Sequence, residues 1–118
     1  MPEKSFSKEE RLRKRREFDR VFQGGKVFKG AIFNAYALGN SLGHPRIGIV
    51  VGRKFGGAVQ RNRIKRLLRE AYRLNKNLIG AGLDIVLLPR PGHEANFKLL
   101  EKEFKNLIER IKRRDSRQ

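Results

Sequence analysis

The sequence predicts one α/β domain, a two-layer sandwich in which helices pack on a small mixed sheet. Helical and strand-like hydrophobic periods alternate along the chain, 118 residues is the length of one domain, and 38% hydrophobic residues can supply one core. The predicted order is α-β-β-(β)-α-β-α. A single domain spans 1–118, with flexible tails expected at 1–10 and 114–118.

The first helix is predicted at 14–23. Phe18, Val21 and Phe22 recur there at i, i+3 and i+4, and the Gly24-Gly25 pair that follows is typical of a helix end. A core position is the ordinary interpretation of each phenylalanine. The alternative is an exposed ring that stacks on a nucleic-acid base, and the sequence leaves both open.

Two strands are predicted next, at 27–38 and 46–52, with a turn region at 39–45 between them. Alternation places Asn34 and Tyr36 on one face of the first strand. By the same alternation, the second strand has one bulky apolar face and one small face. A face of small residues allows another chain to approach the sheet closely. We therefore predict an open stacking platform on this side of the sheet. The small-face residues are Gly48, Val50 and Gly52.

The second half of the chain predicts a long helix from 58 to about 75, a buried strand at 83–89 and a helix from 97 to about 113, capped by Asn96. A further short strand is placed near 53–55. The apolar residues of the long helix fall within about 120° when each residue turns 100°. They are Ile64, Leu67, Leu68, Ala71 and Leu74.

The charge balance indicates a polyanionic partner. The chain has 29 Lys and Arg against 12 Asp and Glu, a net charge of +17. A solvated helix face is the alternative, but such a face ordinarily carries acids that pair with its cations. The window 53–73 holds Glu70 alone against eight cations, which are Arg53, Lys54, Arg61, Arg63, Lys65, Arg66, Arg69 and Arg73. Asn62, in the same window, either forms a local hydrogen bond near the helix start or contacts a base edge, a 2′-OH or a bound water.

The composition excludes several classes of protein. Without Cys there is no disulfide framework, thiolate metal site or Cys nucleophile. The two His and the 12 acids are scattered, so no acid–base or metal-binding constellation is predicted. No apolar run approaches the roughly 20 residues that span a membrane. The N-terminus lacks the apolar core of a secretory signal, and a cytoplasmic location is predicted.

The segment FGGAVQRNRIKRLLREAYR, at 55–73, resembles the characteristic motif of the bacterial ribonuclease P protein family. In that motif a Phe, a Gly and Ala-Val precede Arg-Asn-Arg, a hydrophobic residue, Lys-Arg and a later Arg. The resemblance extends from about 11 to 112 and includes RIGIVVGRK at 46–54.

The resemblance implies the protein subunit of a ribonucleoprotein endonuclease that removes the 5′ leader of precursor tRNA and leaves a 5′ phosphate. The implied partners are the catalytic RNA and precursor tRNA, with no DNA and no membrane. The RNA would hold the magnesium ions and perform the chemistry, so the protein has no catalytic residue and no tightly bound cofactor or metal. The implied fold contains a left-handed βαβ crossover, against the general right-handed rule.

The resemblance also implies two RNA-binding surfaces. The catalytic RNA would contact Arg53, Arg61, Asn62, Arg63, Lys65, Arg66, Arg69 and Arg73. The leader would lie in a cleft formed by Phe18, Phe22, Asn34, Tyr36, Val50 and Lys54.

Two other classes of protein remain as alternatives. One is a non-enzymatic basic RNA-binding protein, similar to a ribosomal protein. The other is a DNA-binding or membrane-surface protein. Membrane insertion is disfavoured because the apolar face of the basic helix is needed for the core.

Overall fold

The computed structural model describes residues 8–80, 82–92 and 96–116 and confirms the predicted fold class. The expected tails lie partly outside these ranges; inside them, 8–10 form a 3-10 turn and the last helix continues to Ser116. The main elements are α1 (Arg15–Gly24), β1 (Lys26–Lys29), β2 (Phe33–Gly39), β3 (Arg46–Ile49), α2 (Ala58–Ile79), β4 (Leu83–Pro89) and α3 (Phe97–Ser116).

The four strands form one mixed sheet in the order β1-β2-β4-β3. β2 is antiparallel to both β1 and β4, whereas β3 and β4 are parallel neighbours. Parallel neighbours need a crossover connection, and α2 supplies it. This is the predicted βαβ unit, and its left-handed sense stays a prediction.

The single strand predicted at 27–38 is wrong, because the chain turns back after β1 and forms the β1–β2 hairpin. Glu103 of α3 holds this turn: its carboxylate accepts hydrogen bonds from the backbone N–H groups of Ile32 and Phe33, each at 2.9 Å. A Cβ atom at Gly30 would lie 2.6 Å from the same carboxylate and 2.7 Å from the backbone carbonyl oxygen of Phe33, so a side chain there would force the turn to shift. Glu103 is 70 positions from Phe33, and local alternation carries no sign of it.

The short strand predicted at 53–55 is also wrong, because this segment forms a 3-10 turn. Gly56 follows with a φ of +151°, a conformation that residues with a side chain rarely adopt. β3 ends at Ile49 instead of 52, although the N–H of Val50 still donates to β4 at 2.9 Å. The chain therefore leaves the sheet early and enters α2 through an exposed basic turn.

The two faces of the sheet are covered differently. α2 and α3 pack on one face, where Phe33 and Ala35 of β2 and Ile85 and Leu87 of β4 are buried, as the alternation of β2 predicts. α1 lies on the opposite face. The smaller cluster beneath α1 consists of Leu12, Val21 and Val86.

A buried carboxylate joins α1 to the sheet. Asp84 of β4 is fully buried and accepts hydrogen bonds from Nε and Nη2 of Arg46 at 2.9 and 2.8 Å. Through Nη1, Arg46 also donates to Glu17 of α1 at 2.8 Å. Glu17 in turn accepts hydrogen bonds from the backbone N–H groups of Arg13 and Lys14, just before α1. This chain of contacts fixes α1 over the sheet.

Candidate RNA interface

α2 presents a basic face on the side opposite its core contacts. The helix begins after Gly57, whose carbonyl accepts a hydrogen bond from the N–H of Arg61 at 3.0 Å. Ile64, Leu68 and Ala71 of the predicted apolar stripe are fully buried against the sheet and α3. The members of the basic face are Arg61 and Lys65, which are half-buried, and Asn62, Arg66 and Arg69, which are exposed. Arg63, also exposed, lies on the other flank of the apolar stripe.

Little negative charge balances this basic face. Glu70, the one acid of the 53–73 window, is hydrogen-bonded to Arg73, and that bond lowers the pKa of the Glu70 carboxyl. Within the described residues, Arg66 and Arg69 have no ion pair or hydrogen-bond partner for their side chains. Nε of Arg61 is buried and also lacks a partner there. A buried, unpaired donor is costly, and a phosphate oxygen would satisfy it.

Two of the predicted ligands lie before this face in the chain, and a third lies at its C-terminal end. Arg53 and Lys54 are exposed in the 3-10 turn that leads into α2. Arg73 lies one turn beyond Arg69, and its guanidinium is engaged with Glu70. Part of its charge is therefore already compensated by the protein.

Three half-buried aromatic residues, Phe18, Phe22 and Tyr36, form an aromatic surface between α1 and the sheet. The rings of Phe22 and Tyr36 meet edge to face, with centroids 5.0 Å apart. Phe18 covers Gly48, since a Cβ atom at Gly48 would lie 2.4 Å from its ring. Each ring thus packs on the small cluster with one side and keeps an accessible part. The predicted open platform is partly closed at Gly48, while Val50 remains exposed.

The strand register extends this surface across the sheet. Tyr36 of β2 and Gly48 of β3 both pair with Val86 of β4, so the three residues lie in one row. Side chains alternate along a strand, so residues two positions apart point to the same side. Asn34, two residues before Tyr36, and Val50, two residues after Gly48, therefore lie on this side as well. The structure therefore places five of the six predicted leader ligands on one side of the sheet, and they are Phe18, Phe22, Asn34, Tyr36 and Val50.

Sequence reasoning missed Arg90, which lies beside this surface. Its Nη2 and Nε atoms donate to Oδ1 of Asn34 at 2.9 and 3.2 Å. This contact orients the Asn34 amide and brings a positive charge to the end of β4. The only available signal was the place of Arg90 between two prolines after a buried strand, and nothing linked it to a residue 56 positions away.

The described residues contain no group of three or more His, Asp or Glu side chains that could hold a metal ion. In the same part of the chain, no helix is long and apolar enough to cross a membrane. The two surfaces instead offer guanidinium and ammonium groups for phosphates and aromatic rings for bases. These features are typical of the class of RNA-binding proteins.

The family model for ribonuclease P matches residues 6–112 of this chain. The chain belongs to the bacterial ribonuclease P protein family, the protein subunits of the ribonucleoprotein endoribonuclease that processes the 5′ leaders of tRNA. The ribonuclease P protein component of Thermotoga maritima is 41% identical over 91% of this chain and 96% of its own length. That of Petrotoga mobilis is 40% identical over 97% and 98%.

Solved structures of this family have the same fold. The ribonuclease P protein from Thermotoga maritima matches with a TM-score of 0.78 and 40% identity, over 86% of this chain and 96% of that one. The protein from Staphylococcus aureus matches with a TM-score of 0.79 and 30% identity, over 87% and 95%. These similarities confirm the α+β fold with its four-stranded mixed sheet.

Proposed function

We propose that this chain binds the catalytic RNA of ribonuclease P through the basic face of α2, and the 5′ leader of precursor tRNA through the aromatic surface. The RNA subunit holds the magnesium ions and cleaves the substrate, and the protein alone is inactive. The observation that supports this division most strongly is the basic face itself. Its helix has one nearby acid, Glu70, and that acid is already bound to Arg73.

The two surfaces suit different parts of RNA. The cations of α2 and its preceding turn suit the closely spaced phosphates of a folded RNA. The leader surface has aromatic rings and few charges, which suits flexible nucleotides with accessible bases. The catalytic-RNA ligands are Arg53, Arg61, Asn62, Arg63, Lys65, Arg66, Arg69 and Arg73, and the leader ligands are Phe18, Phe22, Asn34, Tyr36, Val50 and Lys54.

Leader binding has little sequence preference on this proposal. Every base has a π-face, so stacking on Phe18, Phe22 or Tyr36 tolerates any leader sequence. Asn34 has its amide oxygen bound to Arg90, which directs its NH₂ group to a ribose hydroxyl or phosphate. Lys54 contacts the backbone, which carries no base information.

The test compares Tyr36→Ala with Tyr36→Phe, which keeps the ring. The particle assembled with ribonuclease P RNA is titrated with precursor tRNA and with mature tRNA. Tyr36→Ala should weaken precursor binding by roughly 1–3 kcal/mol, the loss of one base stack, and leave mature tRNA unaffected. Tyr36→Phe should bind both as the wild type does.

Two outcomes would refute leader binding by the aromatic surface: equal weakening of both tRNAs, or no change in either. Thermal unfolding of the free variants controls for loss of fold. Cleavage at the mature 5′ end, at low magnesium and only with both subunits present, separates this function from that of a non-enzymatic RNA-binding protein.

A further inference from the structure

A cavity of about 220 Å³ lies between the aromatic surface and the basic face of α2. Arg11 and Arg13 line it from the segment before α1, and Arg69 lines it from α2. Its remaining wall includes Leu12, Phe18 and residues of β3. Phe18 belongs to the aromatic surface and Arg69 to the basic face, so the two surfaces meet at this cavity.

We propose that the cavity binds one nucleotide of the single-stranded leader, with its phosphate at the arginines and its base or ribose on the apolar wall. This inference rests on the function proposed above and adds Arg11, Arg13 and Arg69 to the leader-binding residues. At about 30 Å³ per water molecule, the cavity has room for roughly seven waters. One base or one ribose phosphate fits such a space, whereas a duplex does not.

The charge around the cavity favours a phosphate. Arg13 and Arg69 are exposed, and their side chains have no carboxylate partner within the described residues. Glu10 and Glu17, three and four residues from Arg13, are already engaged. Glu10 binds Tyr72 and Lys76, and Glu17 binds Arg46 and two backbone N–H groups. Planar guanidinium groups match the oxygens of a phosphate and can bind two of them at once.

The apolar wall indicates a nucleotide and not a small free anion. Leu12 and Ile47 are almost fully buried at 5% and 2% exposure, and Phe18 is half-buried. Gly48 brings the backbone of β3 to the cavity without a side chain. A base or ribose covers such a wall, while a phosphate remains near the arginines.

The segment that carries Arg11 and Arg13 is fixed before any ligand binds. Arg11 forms a parallel bridge with Ile47 of β3, and the N–H of Leu12 donates to the carbonyl of Ile47 at 2.9 Å. The N–H of Arg13 donates to Glu17 at 2.8 Å. Backbone ordering is therefore not a cost of binding at this cavity.

The leader is the RNA that this position favours. Phe18 lines the cavity and also belongs to the aromatic surface, so a single strand stacked on Phe22 and Tyr36 continues into the cavity without a break. The catalytic RNA carries the same phosphate groups as the leader, and on the proposed function it approaches Arg69 along the basic face of α2. The experiment below separates these two sources.

The test measures Arg13→Ala in the assembled particle, with Arg16→Ala as the matched control. Arg16 is an exposed arginine of α1 that does not line the cavity. Arg13→Ala should weaken precursor tRNA binding roughly tenfold, as expected for one charge-assisted contact, and leave mature tRNA and catalytic-RNA binding unchanged. The log–log salt slope for precursor should become shallower by about 0.7, the value for one single-strand phosphate. Arg16→Ala should have a much smaller effect.

Each contrary result has a definite meaning. A loss of affinity for the catalytic RNA, with an unchanged ratio of precursor to mature tRNA, would overturn the leader assignment. Equal effects of Arg13→Ala and Arg16→Ala would also overturn it, because diffuse attraction would then explain both. Tyr36→Ala is measured in parallel. If it lowers the ratio and Arg13→Ala does not, the cavity proposal fails alone; if neither does, the proposed function fails as well.

Discussion

The arginines of this protein occupy two contrasting environments. Near the ends of β3 and β4, Arg46 and Arg20 are bound to the fully buried carboxylate of Asp84. On the outer face of α2, Arg66 and Arg69 are exposed and have no carboxylate partner in the described part of the chain. Composition alone counts all four as the same positive charge.

The difference shows how a chain with a charge of +17 separates folding from binding. Arg46 is taken out of water, so it needs its carboxylates; without them, a buried charge would remain uncompensated. Arg66 stays hydrated, and its charge is available to a ligand. We therefore expect substitutions in the first environment to change stability, and substitutions in the second to change RNA affinity.

The largest effect is expected for Asp84→Ala. It leaves Arg46 buried without its main partner, so the free energy of unfolding should fall by about 3–5 kcal/mol. Urea denaturation followed by circular dichroism measures this change. Glu109→Ala removes an exposed acid of α3 and is the control, with an expected change within about 0.5 kcal/mol. Similar losses for the two variants would contradict the contrast.

Arg66→Ala and Arg61→Ala test the other environment. About six phosphate contacts give a log–log salt slope of about −4 to −5 for binding to the catalytic RNA, and each variant should make it shallower by about 0.7–0.9. The free energy of unfolding should change little for Arg66→Ala, whose side chain is exposed. The control is Arg113→Ala on α3, which should leave the slope nearly unchanged. A wild-type slope shallower than about −2 would show that another surface binds this RNA.

The sequence predicted those elements whose signal is local. The apolar and basic sides of α2, the buried strand β4 and the Asn96 cap all follow from neighbours within one or two turns; the Asn96 side chain accepts a hydrogen bond from the N–H of Leu99 at 3.2 Å. The faces of β2 were also predictable, because alternation directly determines burial.

Features fixed by distant partners were not predictable. The β1–β2 turn depends on Glu103, and the orientation of Asn34 depends on Arg90. Arg46 and Asp84 are 38 positions apart, so no spacing rule joins them. The basic residues of α2 were predicted as a site because Glu70 is the one acid in the 53–73 window, and that scarcity is a local signal.

Glu17 gives a pH-dependent version of the same comparison. Hydrogen bonds from the backbone N–H groups of Lys14 and then Arg13, together with Arg46, lower the pKa of Glu17 below its ordinary value of 4.5. The folded state therefore binds fewer protons than the unfolded state near this pH. The stabilisation by Glu17 is fully present above about pH 4.5 and is lost as the pH falls through the lower, folded-state pKa.

Replacing Glu17 with Gln should flatten this acid limb and lower stability at neutral pH. The measurement is the free energy of unfolding of wild type and variant between pH 7 and pH 3. Because Glu70 also has a lowered pKa, some acid sensitivity should remain in the variant. If the free energies of unfolding of wild type and variant changed in parallel with pH, Glu17 would not contribute to the loss of stability in acid.

The smallest effect is expected at Tyr72, where a neutral donor joins an ion pair. Tyr72 is fully buried, and its hydroxyl donates to Glu10 at 2.9 Å, while Lys76 binds the same carboxylate at 3.0 Å. Burial, and then Glu10, raise the pKa of Tyr72, so the hydroxyl stays protonated and keeps donating. Tyr72→Phe keeps the ring in the core and removes only this donor. Because Lys76 still compensates Glu10, stability should fall by only about 0.5–1.5 kcal/mol, well below the loss for Asp84→Ala. A loss as large as that of Asp84→Ala would mean that the hydroxyl, and not the cation, is what keeps Glu10 in place.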